Sequence, residues 1–291
     1  MTIAITGASG QLGRLTAEAL LEKTADVVLV TRNPDAISDL AQRGADVRFG
    51  DFGDPASLAA AFEGVRRLLL ISASVFRARV REHQAAVDAA VAAGVQLVAY
   101  TGGANPSHSN PAVAMQDHRQ AEEALLASGL EWTFLRNGIY AESLLNGVGA
   151  VLATGRLVTN AGEGRTAYVS RADCAAAAAA VLTGEGHERK AYDITSADAL
   201  NPADVAALLS ELSGRPVEPV YLSDEDWIAA MVEHAGMPEA LAKDIATFGI
   251  AARQGYMGAV STTVRDLIGR EPVGVRAVLE AHGDELAGAV A

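Results

Sequence analysis

Three glycines near the start of the chain have the spacing of a phosphate-binding turn. They follow a short β-branched apolar run, 3–6, and precede a stretch whose apolar residues recur at helical spacing. Glycine lets the chain turn tightly out of a strand and lets an anion approach the backbone N–H groups at a helix start. The spacing GxxGxxG departs from the commoner GxGxxG, and an ordinary glycine turn is the alternative. The predicted dinucleotide contacts are Gly7, Ser9, Gly10, Gln11, Leu12 and Gly13.

The end of the second apolar run selects between the two common dinucleotides. Where an NAD-binding unit usually has an Asp or Glu for the ribose 2′-hydroxyl, this chain has Arg32, 19 residues after Gly13. A guanidinium at this place suits a 2′-phosphate and leaves NAD without its usual carboxylate partner. The sequence therefore predicts NADP(H) as the cofactor. The alternative is a solvent-facing arginine at a strand end.

The elements that must position these residues alternate between strand and helix patterns. Strand patterns occupy 3–6, 27–30, 47–49, 67–72 and 96–101, and helical patterns lie between them. This alternation predicts an α/β fold with a Rossmann-type doubly wound parallel sheet. We assign 1–155 to the NADP-binding domain, with 166–200 returning to it. Residues 201–291, with parts of 140–165, are predicted to form a small, mostly helical substrate lobe.

Further candidate contacts follow the predicted strands, at the edge of the sheet where ligands lie in such folds. Asp51 is placed to accept a hydrogen bond from an adenine amino group, and Phe52 to lie against the ring. A turn role is an equal alternative for Asp51. Asn137 has donors and an acceptor for a nicotinamide carboxamide, with a structural turn as its alternative. The remaining predicted cofactor contacts are Ser72, Ala73, Ser74 and Thr101.

Composition restricts the classes of function. The chain has 291 residues, half of them hydrophobic, which suits one α/β domain with a smaller lobe. A formal charge of −13 argues against a nucleic-acid partner. Cys174 is the only cysteine, so an intrachain disulfide is excluded, and the six scattered histidines predict no metal site. We find neither a charged leader nor a membrane-length apolar run, and expect a cytoplasmic protein without a membrane partner.

Four segments together resemble the NmrA-like, atypical short-chain dehydrogenase/reductase family. They are TGASGQLG at 6–13, TRNP at 31–34, LLIS at 69–72 and FLRNGIY at 134–140. The chain is most similar to the bacterial NADPH-dependent quinone and dye reductases of that family, over most of its length. The resemblance implies hydride transfer to a quinone or similar electron-poor small molecule. It leaves a second class open, a non-catalytic NADP(H)-sensing regulator that binds a protein partner.

The chain lacks the proton relay that is common in short-chain dehydrogenases. That relay pairs a Tyr with a Lys four residues later, and none of the six Tyr here has Lys at that offset. The helix after the 96–101 strand carries His118 but no Lys, unlike related lignan-type reductases. Reduction of a quinone gives a phenolate-like anion whose conjugate acid has a pKa of about 10, so water is able to protonate it. The missing relay thus favours electron-poor acceptors over simple ketones.

His118, Tyr140 and Thr101 are the candidate catalytic side chains. His118 is able to donate a proton or a hydrogen bond near neutral pH, and its alternative is a helix-surface histidine in a polar run. Tyr140 is placed to face a substrate, or else to pack at a helix start. Thr101 ends its strand at the ligand edge. We expect the protein to act as a monomer or a homodimer.

In the second half of the chain the sequence signals for the ends of helices and strands are weaker. Its patterns predict one helix over 141–153 and another over 238–247. Three side chains are candidates for a lid over the cleft, because nearby glycines permit motion. They are Phe248, Tyr256 and Met257, near Gly249, Gly255 and Gly258.

Overall fold

The computed structural model describes residues 1–24, 26–73, 79–283 and 286. Its strands are β1 Ile3–Thr6, β2 Val27–Thr31, β3 Asp46–Phe49, β4 Arg67–Ile71, β5 Leu97–Gly103, β6 Glu131–Asn137, β7 Ile139–Tyr140, β8 Arg156–Thr159, β9 Tyr168–Val169, β10 Lys190–Ile194 and β11 Glu218–Tyr221. Its α-helices are α1 Gln11–Leu21, α2 Ser38–Gln42, α3 Pro55–Ala61, α4 Arg79–Ala92, α5 Val113–Ala127, α6 Val148–Thr154, α7 Arg171–Thr183, α8 Pro202–Ser213, α9 Asp224–Ala235, α10 Glu239–Arg253, α11 Thr263–Ile268 and α12 Val275–Ala281. Short 3₁₀ helices cover Pro34–Ile37 and Ala141–Leu145.

Seven of the described strands form one parallel sheet, in the order β10-β6-β5-β4-β1-β2-β3. The strand order reverses between β1 and β4, where the connections leave in opposite directions. In open parallel sheets this switch point leaves a crevice at the carboxyl ends of the strands. The predicted Rossmann-type α/β fold is confirmed, and the crevice lies beside the glycine turn.

Alternating side chains of the strands divide the core into two layers. On β4, Leu69 packs with α1, α7 and α11 on one face of the sheet, while Leu68 and Leu70 pack with α3, α4 and α5 on the other. All three leucines are fully buried. A strand that is buried on both faces requires a continuous apolar run, which is what 68–71 contains.

The second half of the chain contributes smaller sheets and a separate core. β8 pairs in parallel with β11, and β7 with β9. Buried side chains of α6, α8 and α12 form a third core, whereas α11 packs against α7 on the large sheet. The division into two lobes stays a prediction, because the later helices distribute between these cores. None of the described helices is long and apolar enough to span a membrane.

The single helix predicted over 141–153 is wrong. A 3₁₀ helix over Ala141–Leu145 ends before Gly147, and α6 begins only at Val148. The reason is the backbone of Gly147, whose φ is +74°, a left-handed conformation that interrupts a right-handed helix. The sequence Asn146-Gly147 carried this signal.

The helix predicted over 238–247 continues to Arg253, so that Phe248 and Gly249 lie inside α10. A Cβ on Gly249 would collide with the side chain of Asn160, which packs against the helix at this point. Gly249 therefore allows Asn160 to pack closely against α10, and the lid stays a prediction. Asn160 donates to the carbonyl oxygen of Ala246 at 2.9 Å, which fixes the loop after β8 to α10.

We expect Leu69→Ala to lower the free energy of unfolding by about 2–5 kcal/mol, because it removes a fully buried side chain from the centre of the sheet. Urea denaturation followed by circular dichroism measures this change. The control is Leu126→Ala on α5, where the side chain is 54% exposed and a change within about 0.5 kcal/mol is expected. Equal effects of the two substitutions would contradict the assignment of the core.

Candidate functional site

The glycine turn connects β1 to α1 through very close backbone packing. Gly7 has a φ of +62°, a conformation that favours glycine, and its carbonyl oxygen accepts a hydrogen bond from the Gly10 N–H at 2.9 Å. A Cβ on Gly13 would collide with the same carbonyl oxygen. The turn therefore favours glycine at position 7 and requires it at position 13, whereas a Cβ on Gly10 would make a tight contact of 3.2 Å with the Gly7 carbonyl oxygen.

The first turn of α1 is open to an anion. Gly10 is the N-cap residue, and none of the described side chains caps the helix. The free N–H groups at the start of an α-helix, together with the helix dipole, favour a negatively charged group. Gln11, Leu12 and Gly13 form this first turn, so their backbone N–H groups are the ones that an anion at the helix start would meet.

A cavity of about 420 Å³ extends from this turn along the carboxyl ends of four strands. It brings together most of the predicted cofactor contacts. Those that line it are Gly7, Ser9, Gly10, Arg32, Asp51, Phe52, Ser72 and Ala73. A larger cleft of about 650 Å³ lies between α8 and the chain at 271–276, and it contains none of the predicted site residues.

Arg32 enters this cavity from the end of β2. Its side chain is exposed, and no hydrogen bond or ion pair with the described residues engages the guanidinium. The preceding Thr31 is held in place, since its hydroxyl lies 2.8 Å from the Ser9 hydroxyl and accepts from the Asn33 N–H at 3.1 Å. The backbone beside Arg32 is thus anchored while its cation remains available for a phosphate.

Asp51 and Phe52 line the cavity from the loop after β3. Oδ1 of Asp51 accepts a hydrogen bond from the Gly53 N–H at 2.9 Å, so this carboxylate also supports the local turn. The predicted adenine contact and the turn alternative are therefore compatible, because Asp51 has a second oxygen. The Phe52 ring makes an edge contact with the ring of His83, at 6.2 Å between centroids.

The wall at the end of β4 is fixed by side chains of its neighbours. The Ser72 N–H donates to the Thr101 hydroxyl at 3.1 Å, and the Ala73 N–H donates to Nε2 of His83 at 3.0 Å. Thr101 is 2% exposed, so its hydroxyl has a structural partner at the edge of the site. Ser74, a predicted contact, lies outside the described residues.

Asn137 and Tyr140 lie together at the end of β6. The Asn137 amide nitrogen donates to the Tyr140 hydroxyl at 3.3 Å, while its oxygen is buried without a partner among the described residues. Burial raises the pKa of Tyr140 well above its usual value, so the phenol stays protonated. The guanidinium of Arg171 packs over the Tyr140 ring at 4.8 Å and fixes its orientation.

His118 is not a surface residue, so the alternative derived from its polar run is wrong. It is 7% exposed, and its Nδ1 lies 2.8 Å from the Tyr100 hydroxyl. Its Nε2 lies 3.3 Å from the Arg79 guanidinium. Burial, and then the positive charge of Arg79, hold the pKa of His118 well below its usual value, so the imidazole is neutral at pH 7.

Sequence reasoning missed several polar residues that the fold places around the site. His83, Tyr100 and Arg79 form a buried group with His118, and Glu82 lines the cavity. A partial signal was present, since Arg79 and His83 are four residues apart and therefore share one face of a helix. Among the described residues no group of acidic, His and Cys side chains is arranged to hold a metal ion.

Comparison with known proteins agrees with this geometry. A protein-family model described as NAD(P)H-binding matches residues 7–185. Quinone oxidoreductase 2 of Escherichia coli (strain K12) is 39% identical over 269 residues, which cover 92% of this chain and 93% of that protein.

Two solved structures are similar over nearly the whole chain. The E. coli NADPH-dependent quinone oxidoreductase complexed with NADPH has a TM-score of 0.92 at 38% identity, covering 97% of this chain and 99% of its own. The Citrobacter sp. triphenylmethane reductase complexed with NADP(H) has a TM-score of 0.90 at 36% identity, covering 96% and 99%. With the turn, the cavity and the sheet order, these matches show that the chain belongs to the NAD(P)H-binding family and is an NAD(P)H-dependent oxidoreductase with a Rossmann-type fold.

Proposed function

We propose that this protein is an NADPH-dependent reductase that transfers hydride to quinones or comparable electron-poor acceptors. The observation that carries the proposal is the cavity that contains both the start of α1 and the Arg32 guanidinium, neither of which is capped or paired by a side chain of the described residues. The names of similar proteins, a quinone oxidoreductase and a triphenylmethane reductase, support the class of acceptor.

We assign each part of the cofactor to a different set of residues in the site. Backbone N–H groups of the turn at 7–13 bind the diphosphate, and Arg32 binds the 2′-phosphate. Asp51 and Phe52 hold the adenine. The free oxygen of Asn137 accepts from the carboxamide of the nicotinamide, which accounts for a buried acceptor that has no partner among the described residues.

NADPH supplies the hydride when it is bound. Tyr140 is the side chain that we assign to the acceptor, because its phenol stays protonated and is held by Asn137 and Arg171. A protonated phenol donates a hydrogen bond to a developing oxyanion and stabilises it without losing its own proton. Since a reduced quinone is only weakly basic, water is sufficient to complete its protonation.

His118 and Thr101 are second choices for contact with the acceptor. The neutral, buried imidazole of His118 already has Tyr100 and Arg79 as neighbours, and the Thr101 hydroxyl already accepts from Ser72. Both residues support the walls of the site through these contacts. Neither is a titrating acid at neutral pH in this arrangement.

The rival class, a regulator that senses NADP(H) and binds a protein partner, is not favoured. Two similar proteins of known structure are reductases that were complexed with NADPH or NADP(H). We propose that the hydride acceptor is a small molecule. We also propose that the protein is cytoplasmic and acts as a monomer or a homodimer. The single, buried Cys174 suits a reducing compartment.

Purified protein should oxidise NADPH in the presence of a quinone, and the loss of absorbance at 340 nm measures the rate. A panel of simple quinones, triarylmethane dyes and aliphatic ketones tests the class of acceptor, with turnover expected for the first two. Tight NADPH binding without turnover of any acceptor would exclude the reductase and favour the sensor.

Arg32→Ala should weaken NADPH binding about 10- to 100-fold, because it removes a charge-assisted hydrogen bond to the 2′-phosphate. NADH lacks this phosphate, so its affinity should change little. Titration of the fluorescence of each reduced cofactor measures both constants. The control is Arg43→Ala, at another exposed arginine, which should alter neither dissociation constant. Equal losses of affinity for NADPH and NADH in Arg32→Ala would overturn the assignment of Arg32 to the 2′-phosphate.

Tyr140→Phe should lower kcat/KM for a quinone roughly tenfold, because the oxyanion loses one hydrogen-bond donor. A triarylmethane cation becomes neutral on accepting hydride and forms no oxyanion, so its reduction should be nearly unchanged. Steady-state kinetics with both acceptors at saturating NADPH provides the comparison. Equal losses with both would indicate that the ring, and not the hydroxyl, supports the site.

A further inference from the structure

The peptide groups of Ala73 are held by two side chains from α4. The Ala73 N–H donates to Nε2 of His83 at 3.0 Å, and the Ala73 carbonyl oxygen accepts from Nε of Arg79 at 2.7 Å. Ala73 lies in the wall of the dinucleotide cavity at the end of β4. The orientation of this wall therefore depends on α4, a helix that packs against one face of the sheet.

His83 must be neutral to accept this hydrogen bond. Since Nε2 accepts, the proton of the ring is on Nδ1, which faces the Tyr100 hydroxyl at 3.4 Å. The ring is fully buried, and among the described residues the charged or titratable groups that face it are Arg79, Tyr100 and His118. Burial, and then the charge of Arg79, lower the pKa of His83 to about 3, so the ring is neutral and able to accept at neutral pH.

We propose that His83 is a positioning residue for the cofactor: by accepting the Ala73 N–H, it sets the backbone wall against which the dinucleotide binds. The proposal rests on the proposed function in that the dinucleotide is the ligand of the cavity. An alternative role, a buried histidine that only fills the core between α4 and β5, would give His83 no specific effect on cofactor affinity.

The physical basis is the cost of an unpaired donor. If the Ala73 N–H loses its acceptor, the peptide rotates toward another partner, and the adjoining Ser72 and Ala73 no longer line the cavity in the same way. The Ser72 N–H retains Thr101 as its acceptor, so the displacement begins at Ala73. The expected result is weaker binding of the dinucleotide with little change in the chemical step.

Two amide substitutions separate this role from core filling. In His83→Gln the side-chain amide reaches the place of Nε2, next to the Ala73 N–H. In His83→Asn it reaches only the place of Nδ1, next to Tyr100. We expect H83N to raise the dissociation constant and KM for NADPH about tenfold, with kcat within about twofold, and H83Q to remain within about threefold of the wild type.

Fluorescence titration of NADPH measures binding independently of turnover. The control is Val87→Ala, one turn later on α4 and 1% exposed, which should lower the melting temperature without changing NADPH affinity. Should H83N be insoluble, Arg79→Lys tests the same wall from the Ala73 carbonyl and should also raise the dissociation constant. The proposal is overturned if H83N and H83Q weaken binding equally, or if both bind as the wild type does.

The same data distinguish this proposal from the proposed function. If no variant, nor the wild type, reduces any acceptor, the reductase assignment fails, while a difference in NADPH affinity between H83N and H83Q still supports the positioning role. If all variants turn over quinones with one common affinity for NADPH, the positioning role fails and the reductase assignment stands.

Discussion

The close approach of α1 to the carbonyl oxygen of Gly7 is the constraint on which the dinucleotide cavity depends. Any side chain at Gly13 would force the helix away from β1. The helix start would then no longer present its free N–H groups at the edge of the sheet. Thr6, the last residue of β1, reinforces this junction, since its hydroxyl accepts from the Ile71 N–H of β4 at 3.0 Å. Both contacts lie where the strand order reverses.

A second constraint is the burial of an arginine and two histidines beside the cavity. Burying polar groups is unfavourable unless they are hydrogen-bonded, and here His83, Tyr100 and His118 contact one another while Arg79 adds a positive charge. Both imidazoles are held neutral by burial and by that charge. Two members of this group contact the cavity wall at Ala73: His83 accepts from its N–H, and Arg79 donates to its carbonyl oxygen.

The absence of a Tyr/Lys relay has a chemical meaning in this setting. A reductase that acts on a simple ketone must supply a proton to a strongly basic alkoxide. Reduction of a quinone or a cationic dye forms no such alkoxide, so it does not require a strong proton donor in the site. Burial keeps Tyr140 protonated, which agrees with the role proposed for it, hydrogen bonding to a weakly basic oxyanion without proton transfer. Similarity to a quinone oxidoreductase and a triphenylmethane reductase agrees with this chemistry.

Local signals in the sequence determined the fold class, the glycine turn and the place of Arg32, because strand periodicity and glycine spacing act over a few residues. The break at Gly147 depends on a single left-handed residue, which the helical pattern over 141–153 does not reveal. The α10 helix continues past Gly249, where the tertiary contact with Asn160 leaves no room for a side chain. Only the tertiary structure decided that His118 is buried and neutral. Its partners come from β5 and α4, which are distant along the chain, and its pKa depends on them.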